Sequence, residues 1–312
     1  MINPAYAQVA PAIDPGQRTS QTLTLARIRP GSRVLEFGPS TGYMTKWMKE
    51  RLNCCVTAVE IDAAAARECA PYCERILVAD ADRLDFEGAF PEGSQFDAIL
   101  FADVLEHLCD PGRVTRACKR LLRRDGSVVA SVPNVSHAAV VVQLLMNRFE
   151  YRQTGLLDRT HLRFFTRDSI LERFALDGYK VVFLDTLKTS ARDTEFGIDL
   201  APLHPALIEI LRRNPDSETY QFVIEAKKAE DVSGPGLIAG QGEDMWRKLT
   251  APVDPEEEHV RLRAEVDRLR GELSACREGE LRLKAIENSK SYRVMRHLVT
   301  LFRALVPRSG RG

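Results

Sequence analysis

Short apolar runs recur along the first two thirds of this chain, at RVLEF (33–37), CVTAVEI (55–61), RILVA (75–79), FDAILFA (96–102) and GSVVASV (126–132). Segments with helical spacing lie between them, over 41–52, 63–71 and 110–122, and another precedes them over 16–28. Strands that alternate with helices of about ten to fifteen residues describe βαβ units around a parallel sheet. Such a sheet is covered on both faces, which explains runs that are nearly continuous in apolar residues rather than alternating. Two further strands are predicted at YKVVFLDTL (179–187) and TYQFVIEA (219–226), after helical stretches at 136–148 and 168–177.

The pattern changes after that. Residues 228–255, with SGPGLIAGQGED and APVDPEEE, read as a linker. From there Leu262, Val266, Leu269, Leu273 and Cys276 recur in alternating steps of four and three, with Arg and Glu between them. That spacing predicts a coiled coil over 256–288, and hence a homo-oligomer. Gly271 and Gly279 interrupt it, so one amphipathic helix docked on its own domain is the alternative. No acidic residue follows Glu287, while Lys290, Arg293, Arg296, Arg303, Arg308 and Arg311 punctuate an apolar segment over 289–312. A basic, apolar-faced end of this kind suits peripheral contact with an anionic membrane or an acidic protein partner.

Composition narrows the class. A chain of 312 residues with 44% hydrophobic content buries one sizeable core and has length left for appendages. Formal net charge is zero, so the whole-molecule field argues neither for nucleic acid nor for a membrane, and no nucleic-acid partner is expected. The seven cysteines show no paired CxxC spacing, which fits free thiols in a reducing cytoplasm. The start MINPAYAQVAPAIDPGQ has no basic, apolar leader pattern, and no run approaches the roughly 20 apolar residues of a spanning helix.

The chemistry gathers around EFGPSTG (36–42), where the first strand turns into a helix. A phosphate-gripping loop needs Lys and then Ser or Thr after its last glycine, but Tyr43 and Met44 follow Gly42. A dinucleotide loop wants glycines at 38, 40 and 43, and Ser40 and Tyr43 stand at two of these. What remains is an acid, Glu36, inside the strand end, which repels a pyrophosphate and attracts a cation. Glu60 ends the second strand about twenty residues on, where an acid accepts hydrogen bonds from ribose hydroxyls. Asp80 follows the third strand, placed for an adenine amino group. Three acids at successive strand ends describe a nucleoside whose other end is positive.

With these residues, and with AVEID, ADADRLDF and FDAILFADVLEHLCDPGRVTRACKRLLRRDGSVVASVPN, the chain resembles the class I S-adenosylmethionine-dependent methyltransferases over about 20–227. The 1–19 stretch is then an N-terminal extension. The resemblance implies a Rossmann-like α/β fold: a seven-stranded, mostly parallel sheet with helices on both faces and its last strand inserted antiparallel. It implies S-adenosyl-L-methionine as cofactor, held by Glu36, Gly38, Ser40, Gly42, Glu60, Ile61, Asp80, Ala81 and Ala102. Ser40 stands where many members have glycine, and the loop path is in question there.

Methyl transfer from a sulfonium is an in-line displacement, so alignment comes first and a base is optional. Candidate bases follow the fifth strand: His137 in SVPNVSH, beside Asn134, and Asp158 with His161 and Arg163 in LLDRTHLR. The Asp158 group reads equally as a structural turn. Asp103, Glu106 and His107 in ADVLEHL are similar to a segment of ubiquinone-pathway O-methyltransferases, where the resemblance implies a divalent metal; the same letters are widespread in members that need none. NRFEYRQTGLLDRTHLRFFT and the tail ENSKSYRVMRHLVTLFRAL resemble a bacterial subfamily associated with surface-polysaccharide assembly. That likeness implies a sugar hydroxyl on a glycan or glycolipid as acceptor, a glycosyltransferase partner, and a cytoplasmic site at the inner membrane face. A small-molecule O-methyltransferase of quinone or phenol type and a non-catalytic coiled-coil scaffold are the alternatives.

Overall fold

The computed structural model describes residues 13–237 and, beyond them, residues 260, 263, 264, 266–268, 270, 271 and 274. The chain divides into two units, Met1–Leu249 and Thr250–Gly312. Within the second unit the described residues are helical, and Val260 and Val266 among them are exposed. Of the predicted seam, Leu262, Leu269, Leu273 and Cys276 lie outside the described residues, as do most of the linker and the whole 289–312 segment.

The first unit is built on seven strands: β1 Arg33–Phe37, β2 Cys55–Glu60, β3 Arg75–Val78, β4 Phe96–Ala102, β5 Leu122–Pro133, β6 Tyr179–Lys188 and β7 Thr219–Lys228. They lie side by side in the order β3-β2-β1-β4-β5-β7-β6. Neighbours from β3 to β5 are parallel, and β7 runs antiparallel between β5 and β6. This is the Rossmann-like methyltransferase sheet. Among the described residues eight α-helices accompany it: α1 Ser20–Leu25, α2 Tyr43–Leu52, α3 Ala63–Cys69, α4 Phe86–Ala89, α5 Pro111–Lys119, α6 Ala138–Leu145, α7 Arg167–Leu176 and α8 Pro205–Arg213.

Alternate residues of the central strands feed two cores. Leu35 and Phe37 join Val59, Ile99, Phe101 and Val128 in one, while Val34 joins Val56, Leu100 and Val129 with Met44 and Met48 of α2 in the other. Phe37 and Phe101 stack with ring centroids 4.7 Å apart, where β1 meets β4. Local chemistry sets the helix starts. Asp62 caps α3 by accepting from the amides of Ala64 and Ala65, and Thr166 with Ser169 forms a capping box on α7. Several elements are shorter than the pattern predicts: 16–28 gives only Ser20–Leu25, and 136–148 gives Ala138–Leu145. The 228–237 stretch, expected as linker, turns through Ala229–Asp231 and returns to β6, where the Leu237 amide donates to the Val181 carbonyl at 2.8 Å.

The β1–α2 loop packs closely on α3. Gly42 sits at φ +85°, and a Cβ there would lie 2.8 Å from the Cys69 sulfur and 2.9 Å from the Cys69 α-carbon. Gly31 has a similar φ of +75° with nothing within 4 Å of a built Cβ. Gly31→Ala therefore carries only the left-handed strain of about 1 kcal/mol, whereas Gly42→Ala adds overlap and costs at least about 2–3 kcal/mol. Urea unfolding of both variants checks this, and equal losses would contradict it.

Candidate active site

At the carboxyl edge of the sheet, β1 has β2 on one side and β4 on the other, so the chain crosses in opposite directions from this point. Ligands of open α/β sheets bind in the crevice at such a switch. The loop entering α2 presents an exposed Gly38 at φ +63° and Ser40 at φ +52°. Ser40 thus takes the left-handed conformation that a glycine adopts more readily, and the path is kept. Its amide donates to Oε2 of Glu60 at 2.9 Å, and the Asp62 amide donates to Oε1 at 2.9 Å. The Glu60 carboxylate is buried and held from both sides, with a lone pair left on each oxygen.

Glu36 lies deeper, one residue before the end of β1. It is buried, and the Thr45 hydroxyl donates to its Oε2 at 2.6 Å. Burial outweighs that bond and pushes the carboxyl up to about 8. Asp80 lies past β3 and is partly exposed; its Oδ1 accepts from the Asp82 amide at 2.9 Å. Ile61, beside Glu60, is exposed, and Ala81 and Ala102 are half-buried. The donor set fits S-adenosylmethionine: a fixed carboxylate for ribose hydroxyls, an apolar Ile61 beside it for the adenine face, Asp80 for the amino group, and a Gly38 with no side chain to block the approach. A Cβ on Gly38 would lie 2.9 Å from the Val104 side chain.

On the other side of the switch, β4 ends in Ala102 and the chain turns at Asp103, φ +54°, into a short 3-10 turn, Leu105–His107. The Asp103 carboxylate is claimed by its neighbours: its Oδ1 accepts from Ser131 at 2.8 Å and Gln221 at 2.7 Å. Burial raises its carboxyl above the usual range. The backbone carbonyl of Glu106 accepts from the amides of Leu162 and Arg163, which brings the 156–163 loop onto this turn. His107 and His161 meet edge to face with centroids 4.9 Å apart. Ring contacts continue from His161 to Phe164, from Phe164 to Phe149, and from Phe149 to Tyr151, at 5.3–6.3 Å. Phe149 and Tyr151 are exposed.

Three expectations change here. His137, expected as a base, is a helix cap: it is buried, its Nδ1 accepts from the Ala139 amide that starts α6, and its Nε2 donates to the Thr189 carbonyl at 2.9 Å. Burial holds its pKa below the ordinary imidazole value, so it stays neutral with both nitrogens used. Asn134 is likewise structural, donating to the Asp216 and Thr219 carbonyls. Asp158, expected as a catalytic carboxylate, is buried in a turn of its own, its Oδ1 accepting from the amide and hydroxyl of Thr160. It shapes the turn that presents His161. Arg163 bonds the Cys109 carbonyl instead of joining a triad. Asp103 is not in the metal-like cluster either: among the described residues the ligand atoms that lie within 4.8 Å of one another belong to Glu106, His107 and His161. Sequence spacing gives no sign of Gln221 or Ser131 at this site, since each reaches Asp103 from a distant strand.

Among the described residues no helix is long and apolar enough to cross a membrane. The chain is 32% identical over 110 residues to a ubiquinone biosynthesis O-methyltransferase of Caulobacter sp. (strain K31), covering 33% of this chain and 42% of that protein. It is 29% identical over 127 residues to one from Xanthomonas axonopodis pv. citri (strain 306), covering 38% and 51%. The matches thus span about half or less of those relatives' length. A SAM-dependent methyltransferase structure from Archaeoglobus fulgidus superposes with a TM-score of 0.48 at 15% identity, covering 67% of this chain and 95% of that one. A family described as methyltransferase domain matches residues 12–184, more than half of the chain. This chain therefore belongs to the methyltransferase domain family, and its first unit is an S-adenosylmethionine-dependent methyltransferase domain of the class I fold.

Proposed function

We propose that the protein is an O-methyltransferase acting on a hydroxyl of a small, ring-shaped acceptor of phenol or quinol type. The observation that carries the donor half is the Glu60 carboxylate, preoriented by the Ser40 and Asp62 amides beside the exposed Gly38 and Ile61. Bound S-adenosylmethionine supplies a methyl group on a sulfonium, ready for in-line attack. The chain's own task is to fix the two reactants in line, which by itself accounts for much of such a rate enhancement. Glu60 holds the ribose, Asp80 the adenine edge, and Glu36 lies on the side of the cationic end. The acceptor half is supported by the ring contacts from His107 to Tyr151, which offer planar apolar faces next to polar groups. Similarity to ubiquinone biosynthesis O-methyltransferases points the same way. With His137 committed to a cap, His107 and His161 are the imidazoles left on the acceptor side.

A sugar hydroxyl on a glycan or glycolipid is the second reading. The exposed aromatic faces of Phe149 and Tyr151 suit the apolar face of a pyranose as well as an aryl ring. A glycosyltransferase partner, self-association through 256–288 and membrane contact through 289–312 belong to that reading.

Two measurements test the donor half. Glu60→Ala removes a charged acceptor and should weaken S-adenosylmethionine binding by about 2 kcal/mol in calorimetry; unchanged affinity would count against the site. The pH dependence tests Glu36. Its carboxyl titrates near 8 because of burial, and a cation beside it favours the ionised form, so binding expels a proton below that value. Affinity should rise as pH increases toward 8, by at most about tenfold per unit, and level off above it. Glu36→Gln should flatten the curve; a slope that survives in the variant assigns the proton to another group. For the acceptor half, labelled cofactor is offered with a catechol-type phenol or with a glycan extract. Label in the phenol supports the first reading, and label only in the glycan replaces it with the second.

A further inference from the structure

The turn after β4 and the 156–163 loop bring together three groups that the methyl-donor site does not use. One oxygen of Glu106 and one nitrogen each of His107 and His161 lie within 4.8 Å of one another. Glu106 and His161 are buried and His107 is half-buried. Oε2 of Glu106 is buried with no hydrogen-bond partner, an arrangement that is costly for a carboxylate. Nδ1 of His107 faces the Thr160 carbonyl at 3.1 Å, and Nδ1 of His161 faces the Leu156 carbonyl at 3.3 Å. A carbonyl only accepts, so each ring carries its proton on Nδ1 and keeps a bare lone pair on Nε2. Imidazoles anchored through one nitrogen to a backbone carbonyl, with the other bare, are the usual arrangement of metal ligands. Two imidazole nitrogens and a carboxyl group with one unpartnered buried oxygen therefore converge, a donor set that a divalent cation satisfies by taking the place of the carboxyl proton.

We propose that Glu106, His107 and His161 hold a divalent transition-metal ion of the zinc class, through the carboxylate and the two Nε2 atoms, with a fourth position open. The proposal departs in its third ligand from the set of Asp103, Glu106 and His107 that the sequence offers. Asp103 is engaged by Ser131 and Gln221 and stands outside the group. Replacing its oxygen by a second imidazole moves the donor set from two carboxylates and one nitrogen to one carboxylate and two nitrogens, which suits zinc or cobalt better than magnesium. Two imidazoles, one carboxylate and an open position is a recurrent set for catalytic zinc. Donors around tetrahedral zinc stand roughly 3.4 Å apart, so side-chain movement of about 1 Å closes the three. The backbone is already tied for this, because the Leu162 and Arg163 amides both donate to the Glu106 carbonyl, at 2.7 and 2.9 Å. The same histidines begin the ring contacts that run to Phe149 and Tyr151, so a metal held there would stand next to the acceptor side and could polarise an acceptor hydroxyl.

The full-length protein, stripped with chelator, is titrated with Zn²⁺ and separately with Co²⁺, and metal content is measured after dialysis. The account expects about one equivalent per chain, and for cobalt the visible absorption of a four- or five-coordinate site. His161→Gln and Glu106→Gln should each weaken binding roughly 100-fold or more, beyond the 10–100-fold loss typical of an outer-shell partner. Asp103→Asn should bind as the wild type does. Binding of S-adenosylmethionine to the same variants confirms that they are folded and keeps this result separate from the donor-site reading. Absence of stoichiometric metal would overturn the proposal. So would a site lost in Asp103→Asn but kept in His161→Gln, or metal released by thiol alkylation, which would place it on the exposed Cys55 or Cys109.

Discussion

The buried carboxylate of Glu60 is the constraint on which the rest of the site depends. It accepts from Ser40 on one loop and Asp62 on the next, and so ties the ends of β1 and β2 into one rigid edge. Without that acceptor the Ser40 amide would lose its partner, and a non-glycine residue would have little reason to stay at φ +52°. The joint below it is equally intolerant, because Gly42 packs directly on Cys69 of α3. The same sulfur contacts the Thr45 hydroxyl, which in turn holds Glu36. Loop, helix and buried acid therefore form one unit, and preorganisation of this kind spares a ligand the cost of ordering its own site.

The acceptor side is organised differently. It has no single anchor but a turn clasped by a distant loop, through the Glu106 carbonyl and the Leu162 and Arg163 amides. Each imidazole is oriented by a backbone carbonyl, so the backbone sets the chemistry of the side chains. Burial drives the His161 pKa down to about 4, with His107 adding to the effect, and raises the Glu106 carboxyl well above its usual range. Both groups are thereby kept from their ordinary charge states.

Much of this could be read from the chain alone, for a physical reason. The strands of a doubly covered sheet are apolar runs, and the acids at their ends are fixed by local register, so Glu36, Glu60 and Asp80 emerged from spacing. The helix expected over 16–28 is shorter because Thr19 caps its start and its end passes into i→i+3 turns at Arg27 and Ile28. The α8 helix, Pro205–Arg213, is not predicted, being half-exposed and only 9 residues long despite its apolar face. His137 differs from its expected role because a histidine after a strand looks the same in sequence whether it caps a helix or faces a ligand. The partnership of His107 with His161, and of Asp103 with Gln221, depends on how distant segments pack, and no periodicity encodes that.

The most direct test of the account is a crystal structure of the protein with S-adenosylhomocysteine. The account predicts the ribose hydroxyls on the Glu60 carboxylate, with the Ser40 and Asp62 amides still bonded to it, and the adenine between Ile61 and Asp80. A nucleoside seated elsewhere on the sheet, or a Glu60 that turns away to admit it, would contradict the claim that this carboxylate is built to receive the cofactor.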